Sequence, residues 1–438
     1  MQAPCTDKTL PVSPDQVDPV DAGTAAGHDA PVSTAIMRPI QLIAPCLLAL
    51  GSTLFGQINQ DESKVPDYTL PDPLSGVTSA DGWPARRAQL MDLLAGHVYG
   101  RMPPPLAPTV EIASSDPRAL EGRATRSERV LTFTTASGKE VKIRVLLFVP
   151  NNRTAPSPLF LGLNFRGNHT ISKDPAITPP AATKKKHARG SRANRWPVDR
   201  IIARGYALAT AFYGDIDPDH HDDFANGVHP LFPMRDTGGR KPDAWGSIGA
   251  WAWGLSRIAD HLIAAPEIDG DRVAVMGHSR LGKTALWAGA CDERFKLVIS
   301  NNSGCGGAAL SRRRFGETVA RINKVFPHWF CSRFDDYNHN EDALPVDQHT
   351  LIACIAPRAC LVSSARKDRW ADPRGEFLSV VAATPVYRLL GLTGMSTTMP
   401  ASGVEPEGTL GYRIREGKHD VTKGDWGAFL AFADRVLR

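Results

Sequence analysis

The sequence predicts an α/β protein, a three-layer sandwich whose central sheet is mostly parallel. Three observations predict it. Short apolar runs that end in loops recur along the chain, helix-period stretches separate most of them, and several runs are apolar throughout. Strands covered by helices on both faces show that third pattern, because neither face meets water.

Residues 1–60 differ from the rest. Residues 1–36 are polar and rich in Pro, Gly and Asp. Met37 and Arg38 then precede an apolar run over residues 40–55 that ends among small residues. A positive start, a short apolar core and small residues describe a secretory signal, with translation starting at Met37. The run is short and contains Pro45, which argues against a membrane span. The expected organisation is a disordered tail with a signal-like segment over 1–60, then one catalytic domain over 61–438.

Within that domain the elements follow in order. ARRAQLMDLLAGHVYG (85–100) has a helical period. VLTFTTASGKEVKIRVLLFVP (130–150) reads as two alternating strands joined by a turn at Ala136, Ser137, Gly138 and Lys139. PLFLGLNFRG (158–167) is a continuous apolar strand ending in a loop. VDRIIARG (198–205) is helical, and YALATAFYGD (206–215) is a further buried strand. AWGSIGAWAWGLSRIADHLI (244–263) is a long helix. RVAVMG (272–277), KLVISNNSG (296–304), RACLVSSA (358–365) and GYRIREGKHD (411–420) supply four more strand-then-loop units. In such sheets chemistry gathers beyond the carboxyl ends of the strands.

Composition excludes some functions. With 51 basic and 46 acidic residues the net charge is +5, too balanced for a nucleic-acid binder. The local excess in TKKKHARGSRANR (183–195) reads as a solvated loop. None of the seven cysteines forms a C-x-x-C pair or a Cys/His set at zinc spacing, so the cysteines give no sign of a zinc site; no cofactor is expected.

The chemistry centres on VMGHSRLGKTALW (275–287). Ser279 follows a strand and precedes a helix, as a nucleophile elbow requires. Gly277 suits a tight turn, and Gly282 suits close helix packing. Alternatively, Ser279 is a helix N-cap. A serine nucleophile needs a base, and His419 follows the last strand, where the α/β-hydrolase fold keeps its histidine. The base needs an orienting carboxylate. The penultimate strand leads into RKDRWADP, which offers Asp368 and Asp372. Asp368, early in the loop, is preferred, because Asp372 before Pro373 suits an N-cap.

GHSRLGKTALW, NNSGCGGAALSRR, SARKDRWADPRGEF and GKHD, in this order, resemble the glucuronoyl esterases of carbohydrate esterase family 15. The resemblance covers roughly residues 66–438 and is strongest from Trp245 onward. It implies an α/β-hydrolase fold without a metal and cleavage of esters between the 6-carboxyl of (4-O-methyl)-glucuronic acid on xylan and alcohols of lignin. It implies Ser279 as nucleophile, His419 as base and Arg280 as the oxyanion-stabilising arginine. Lys283, Glu317 and Trp370 fall at positions that hold the sugar. Lys283 lies one helical turn after Ser279, on the same side.

The chain departs from the family pattern twice. Many members carry a glutamate after the strand that follows the elbow; here Asn302 stands there, which leaves Asp368 as the acid. Fungal relatives have cysteines, joined in a bridge, just before the serine and just after the histidine. Here these are His278 and Asp420, which invite an ion pair. DIDPDHHDDF (215–224) begins like a calcium loop, but His220 replaces the glycine and Asn226 the terminal glutamate. It reads instead as a loop at the active edge. NFRGNHT offers Arg166 and His169 as cleft-lining candidates.

The expectation is therefore a serine esterase acting on glucuronoxylan or lignin–carbohydrate esters. It would be secreted or periplasmic, monomeric, and without nucleic-acid partners or stable membrane association once its signal is removed. The alternatives are an acetyl-xylan or pectin-type esterase on the same fold and a non-catalytic carbohydrate-binding relative. Fold alone does not choose among them.

Overall fold

The computed structural model describes residues 58–135, 137–181, 186–232, 235–236 and 239–438. The tail, Met37, the apolar run over 40–55, Ala136 of the predicted turn and residues 183–185 of the basic run lie outside the described residues.

The strands are β1 Thr109–Ala119, β2 Ala124–Thr134, β3 Glu140–Pro150, β4 Ser157–Asn164, β5 Ala207–Phe212, β6 Arg235–Asp236, β7 Gly239–Arg240, β8 Ile268–His278, β9 Phe295–Asn301, β10 Ala359–Ala365 and β11 Leu410–Arg415. The helices are α1 Trp83–Leu94, α2 Val198–Ala203, α3 Tyr213–Ile216, α4 Ser247–Ile263, α5 Arg280–Cys291, α6 Val319–Val325, α7 Gln348–Ala353, α8 Pro373–Leu389 and α9 Lys423–Leu437. The main sheet runs β1-β2-β3-β5-β4-β8-β9-β10-β11. It is antiparallel from β1 to β5 and parallel from β5 to β11.

Strand residues alternate between two cores. Leu159, Leu161 and Leu163 of β4 and Val273 and Val275 of β8 join the core under α4, α5, α7 and α8. Phe160, Ala274 and Met276, on the opposite face, join the core under α2 and α9. Burying each such Leu or Val contributes roughly 1.5–3 kcal/mol, and only a strand with helices on both faces can bury successive residues. This three-layer arrangement belongs to the α/β-hydrolase fold. Trp251 and Trp287, fully buried on α4 and α5, lock those helices onto the first face.

The structure departs from the sequence reading mainly at edges. β1 has no sequence signal: it is polar and largely exposed, so it carries no apolar pattern, and its register with β2 supplies the strand. The 85–100 stretch is α1 followed by a π-helical turn over Ala95–Tyr99. Among the described residues no helix is long and apolar enough to cross a membrane.

Candidate active site

Four neighbouring parallel strands deliver the site. β8 ends just before Ser279, β9 just before Asn302, β10 leads to Asp368, and β11 leads to His419. Ser279 has φ 58° and ψ −129°, a conformation that costs a non-glycine residue on the order of 1–3 kcal/mol. The strain is held by bonds on both sides. Ser279 N donates to Asn301 O at 2.9 Å, and Ser279 O accepts from Gly282 N at 2.8 Å and Lys283 N at 3.2 Å, which starts α5. Gly277 is needed for space, since a Cβ there would lie 1.8 Å from Leu281 O. Gly282 packs against Ser300 and Ser303. Ser279 sits at the N-cap position, yet its side chain makes no cap hydrogen bond. The hydroxyl is therefore not spent on capping.

His419 Nδ1 meets Asp368 Oδ2 at 2.5 Å. Since a carboxylate accepts, Nδ1 carries the proton and Nε2 is left as the acceptor. Asn302 Nδ2 donates to the same Oδ2 at 2.7 Å. Burial works to raise the Asp368 pKa, but the bonds from His419 and Asn302 and the histidine charge hold it below the usual carboxylate range. Asp372 instead accepts from Gly375 N as the N-cap of α8 and pairs with Arg313 at 2.7 Å.

Arg280 is fixed by a residue the sequence did not single out. Its Nη1 pairs with Asp219, in the loop after β5. Asp219 also accepts from Trp329 Nε1 at 2.7 Å, His328 Nε2 at 3.0 Å and Tyr213 OH at 3.0 Å. Burial raises the Asp219 pKa, and Arg280 with these donors more than reverses that, so the carboxylate stays ionised. The guanidinium also lies 4.7 Å from the Trp329 ring centroid. DIDPDHHDDF thus holds an anchor for Arg280. Its other carboxylates go separate ways: Asp217 lies 3.5 Å from His229, and Asp215 accepts from Arg144 N. Nothing gathers them as a calcium loop would.

Lys283 is buried at the start of α5. Its Nζ donates to Ser303 O at 2.5 Å and Cys305 O at 2.6 Å and lies 3.7 Å from Glu317 Oε2, with 4% of the side chain exposed. Two of its three donors are thus taken by backbone carbonyls. Glu317 is buried, which raises its pKa against the Lys283 charge and a bond from Trp370. Trp370 is half-buried. Lys283, Glu317 and Trp370 therefore form one chain of contacts, with the tryptophan nearest solvent.

The expected ion pair between His278 and Asp420 does not form. Asp420 turns to Arg195 at 2.6 Å, while His278 is buried and its pKa pushed well down by desolvation and the nearby His419 charge. His169 is also buried, its Nε2 against His187 O at 3.0 Å. Arg166 is half-buried, next to Phe165, whose ring lies 5.9 Å from the Arg280 guanidinium. The five described cysteines are free thiols. Glu376 of α8 lies within SARKDRWADPRGEF and packs under the site. It accepts from Ser303 N, Gly304 N and Ser364 Oγ beneath the β9 loop.

The family model for fungal glucuronyl esterases matches residues 240–391. A carbohydrate esterase of an unknown prokaryotic organism is 46% identical over 399 residues, covering 86% of this chain and 92% of its own. The 4-O-methyl-glucuronoyl methylesterase of Schizophyllum commune is 31% identical over 345 residues, 74% of each chain. The solved structure of a promiscuous family 15 esterase from a marine bacterial metagenome superposes with TM-score 0.80 at 46% identity, covering 87% of this chain and all of that one.

Proposed function

The chain belongs to the glucuronoyl esterases of carbohydrate esterase family 15, and from that premise we propose that it hydrolyses esters of (4-O-methyl)-glucuronic acid on glucuronoxylan, with Ser279, His419 and Asp368 as its catalytic triad. The observation that carries the assignment is the 2.5 Å contact between His419 Nδ1 and Asp368 Oδ2, delivered by strands that neighbour the Ser279 elbow.

In this mechanism Ser279 Oγ attacks the ester carbonyl while His419 Nε2 takes its proton. Asp368 orients the imidazole and stabilises the imidazolium. Arg280, held by Asp219, and backbone N–H groups at the start of α5 face the developing oxyanion. The tetrahedral intermediate collapses, and the alcohol leaves with the proton from His419. Water, deprotonated by the same histidine, then attacks the acyl-enzyme; the glucuronate is released and Ser279 regains its proton. Glu317 and Trp370 offer an acceptor, an indole face and a donor to the sugar. Lys283 offers its remaining N–H to the sugar and fixes Glu317 and the β9 loop.

Residues 61–438 act in this reading as one catalytic domain, freed of its leader on export. Asn302 prompts the thought of a non-catalytic relative, but its bond to Asp368 supports an intact charge system. The description of the marine structure as promiscuous favours testing acyl scope directly. Benzyl glucuronate and p-nitrophenyl acetate are to be compared with wild type and Ser279→Ala. Turnover of the glucuronate ester that disappears in the variant is expected. Turnover of the acetyl ester alone rejects the substrate assignment.

A further inference from the structure

Asn301, the last residue of β9, touches three points around the nucleophile and base. Its carbonyl accepts from Ser279 N at 2.9 Å. Its Nδ2 donates to His278 Nδ1 at 2.9 Å and to the carbonyl of Asp420 at 3.0 Å. His278 precedes the nucleophile and Asp420 follows the catalytic histidine. The residue is fully buried and stands opposite His278 in the β8–β9 register.

The orientation of this amide follows from chemistry. The Asp420 carbonyl can only accept, so the nitrogen must face it. Both amide protons are then used, and Oδ1 is left buried without a partner. A buried acceptor without a donor is unfavourable, so the arrangement persists because the two donated bonds outweigh it. Donation to Nδ1 also fixes the tautomer of His278: Nδ1 is the acceptor and the proton sits on Nε2. The neutral His278 ring lies 4.5 Å from the His419 ring, at 41°. A neutral neighbour matters there, because a second cation would oppose the imidazolium that His419 becomes during the reaction.

We propose that Asn301 is a positioning residue for the catalytic histidine: its side-chain amide ties the strand end beside the nucleophile to the loop that carries His419 and keeps His278 a neutral, fixed platform for the imidazole. The proposal rests on His419 being the general base. Arg415 supports the same loop from its other side, donating to Lys418 O at 3.0 Å and Asp420 O at 2.7 Å. Asn301 is the member of this pair that reaches across to the nucleophile strand.

Removing the tie displaces a catalytic group without altering the sugar contacts. Asn301→Ala is therefore expected to lower kcat per titrated active site by roughly 10–100-fold with KM changed less than about twofold. Active sites are counted with a serine-reactive phosphonate, so misfolded enzyme does not pass as slow enzyme. Asn301→Asp keeps the size but cannot donate to Asp420 O, and at least a tenfold fall is expected of it as well. Wild-type kcat per site in either folded variant overturns the proposal. Nitrogen NMR of ¹⁵N-histidine-labelled wild type, with His278→Gln for assignment, reads the same tie without activity. The expected result is a neutral His278 with Nδ1 unprotonated at neutral pH; a protonated Nδ1 overturns the proposal. Because that readout needs no substrate, its failure is distinct from a failure of the ester assignment, which wild-type turnover alone decides.

Discussion

At the scale of single residues, the acid end of the site is set by two donors on one oxygen. Asp368 Oδ2 accepts from both His419 and Asn302. Asp368→Asn keeps the shape but presents an amide where Nδ1–H needs an acceptor, so the histidine is driven toward the wrong tautomer. A fall in kcat of about 10³–10⁴-fold on the glucuronate ester is expected. A rate within tenfold of wild type would falsify the assignment of the acid. Glu376 makes a prediction about stability. Burial raises its pKa to about 7, against the bonds from Ser364, Gly304 and Ser303. The folded pKa exceeds the unfolded one, so the folded state binds more protons between about pH 4.5 and 7. The stabilisation is complete below that window and is lost as pH rises through it, by about 3 kcal/mol. Glu376→Gln keeps an acceptor for Ser303 N and Gly304 N and has no proton to lose. Thermal unfolding of the variant is expected to be flat from pH 5 to 7.5, where wild type declines; parallel curves would remove Glu376 as the source.

Whole elements explain which parts of the site were legible. The parallel strands could be read because each is buried on both faces, and loops that follow such strands are where chemistry collects. That placed Ser279, Asp368 and His419 from spacing and order. β1 was invisible for the opposite reason, since a polar, exposed strand exists only through its partner. Asp219 was invisible because its meaning lies between elements. It stands in the loop after β5, while His328 and Trp329 follow α6 and Arg280 starts α5. No spacing rule connects segments so far apart in the chain. Lys283 shows a related limit: helical spacing puts it on the Ser279 side, and only tertiary packing supplies the carbonyls of Ser303 and Cys305 as its partners. Asp219→Asn leaves Arg280 buried beside an amide rather than a carboxylate. The arginine then loses its fixed direction, and kcat/KM is expected to fall by about 100-fold. Loss of a buried pairing also lowers stability, by roughly 3–5 kcal/mol. Kinetics and thermal melts of the same preparation separate the two effects, and an unchanged kcat/KM shows that Arg280 needs no such anchor.

For the whole molecule, the question is whether its basic excess reaches the substrate. The net charge is +5, and part of the basic loop is spent inward. Arg189 donates to Asp174 O and Ile177 O, and Arg195 pairs with Asp420 beside His419. Lys173 and Lys186 are exposed and free to face solvent. An esterified glucuronate is neutral, so the scissile group itself feels little of this field. Free glucuronates elsewhere on the same xylan chain are anions and would. Attraction over such distances is screened within about 8–10 Å at ordinary salt. KM for polymeric glucuronoxylan esters is therefore expected to fall as ionic strength is lowered from about 0.15 M to 0.01 M, while KM for benzyl glucuronate stays constant. Exchanging Lys173 and Lys186 for Glu should remove the salt dependence for the polymer and leave the small ester untouched. Equal salt responses for polymer and small ester would place recognition entirely in the pocket around Glu317 and Trp370, and the basic loop would then be only a solvated surface.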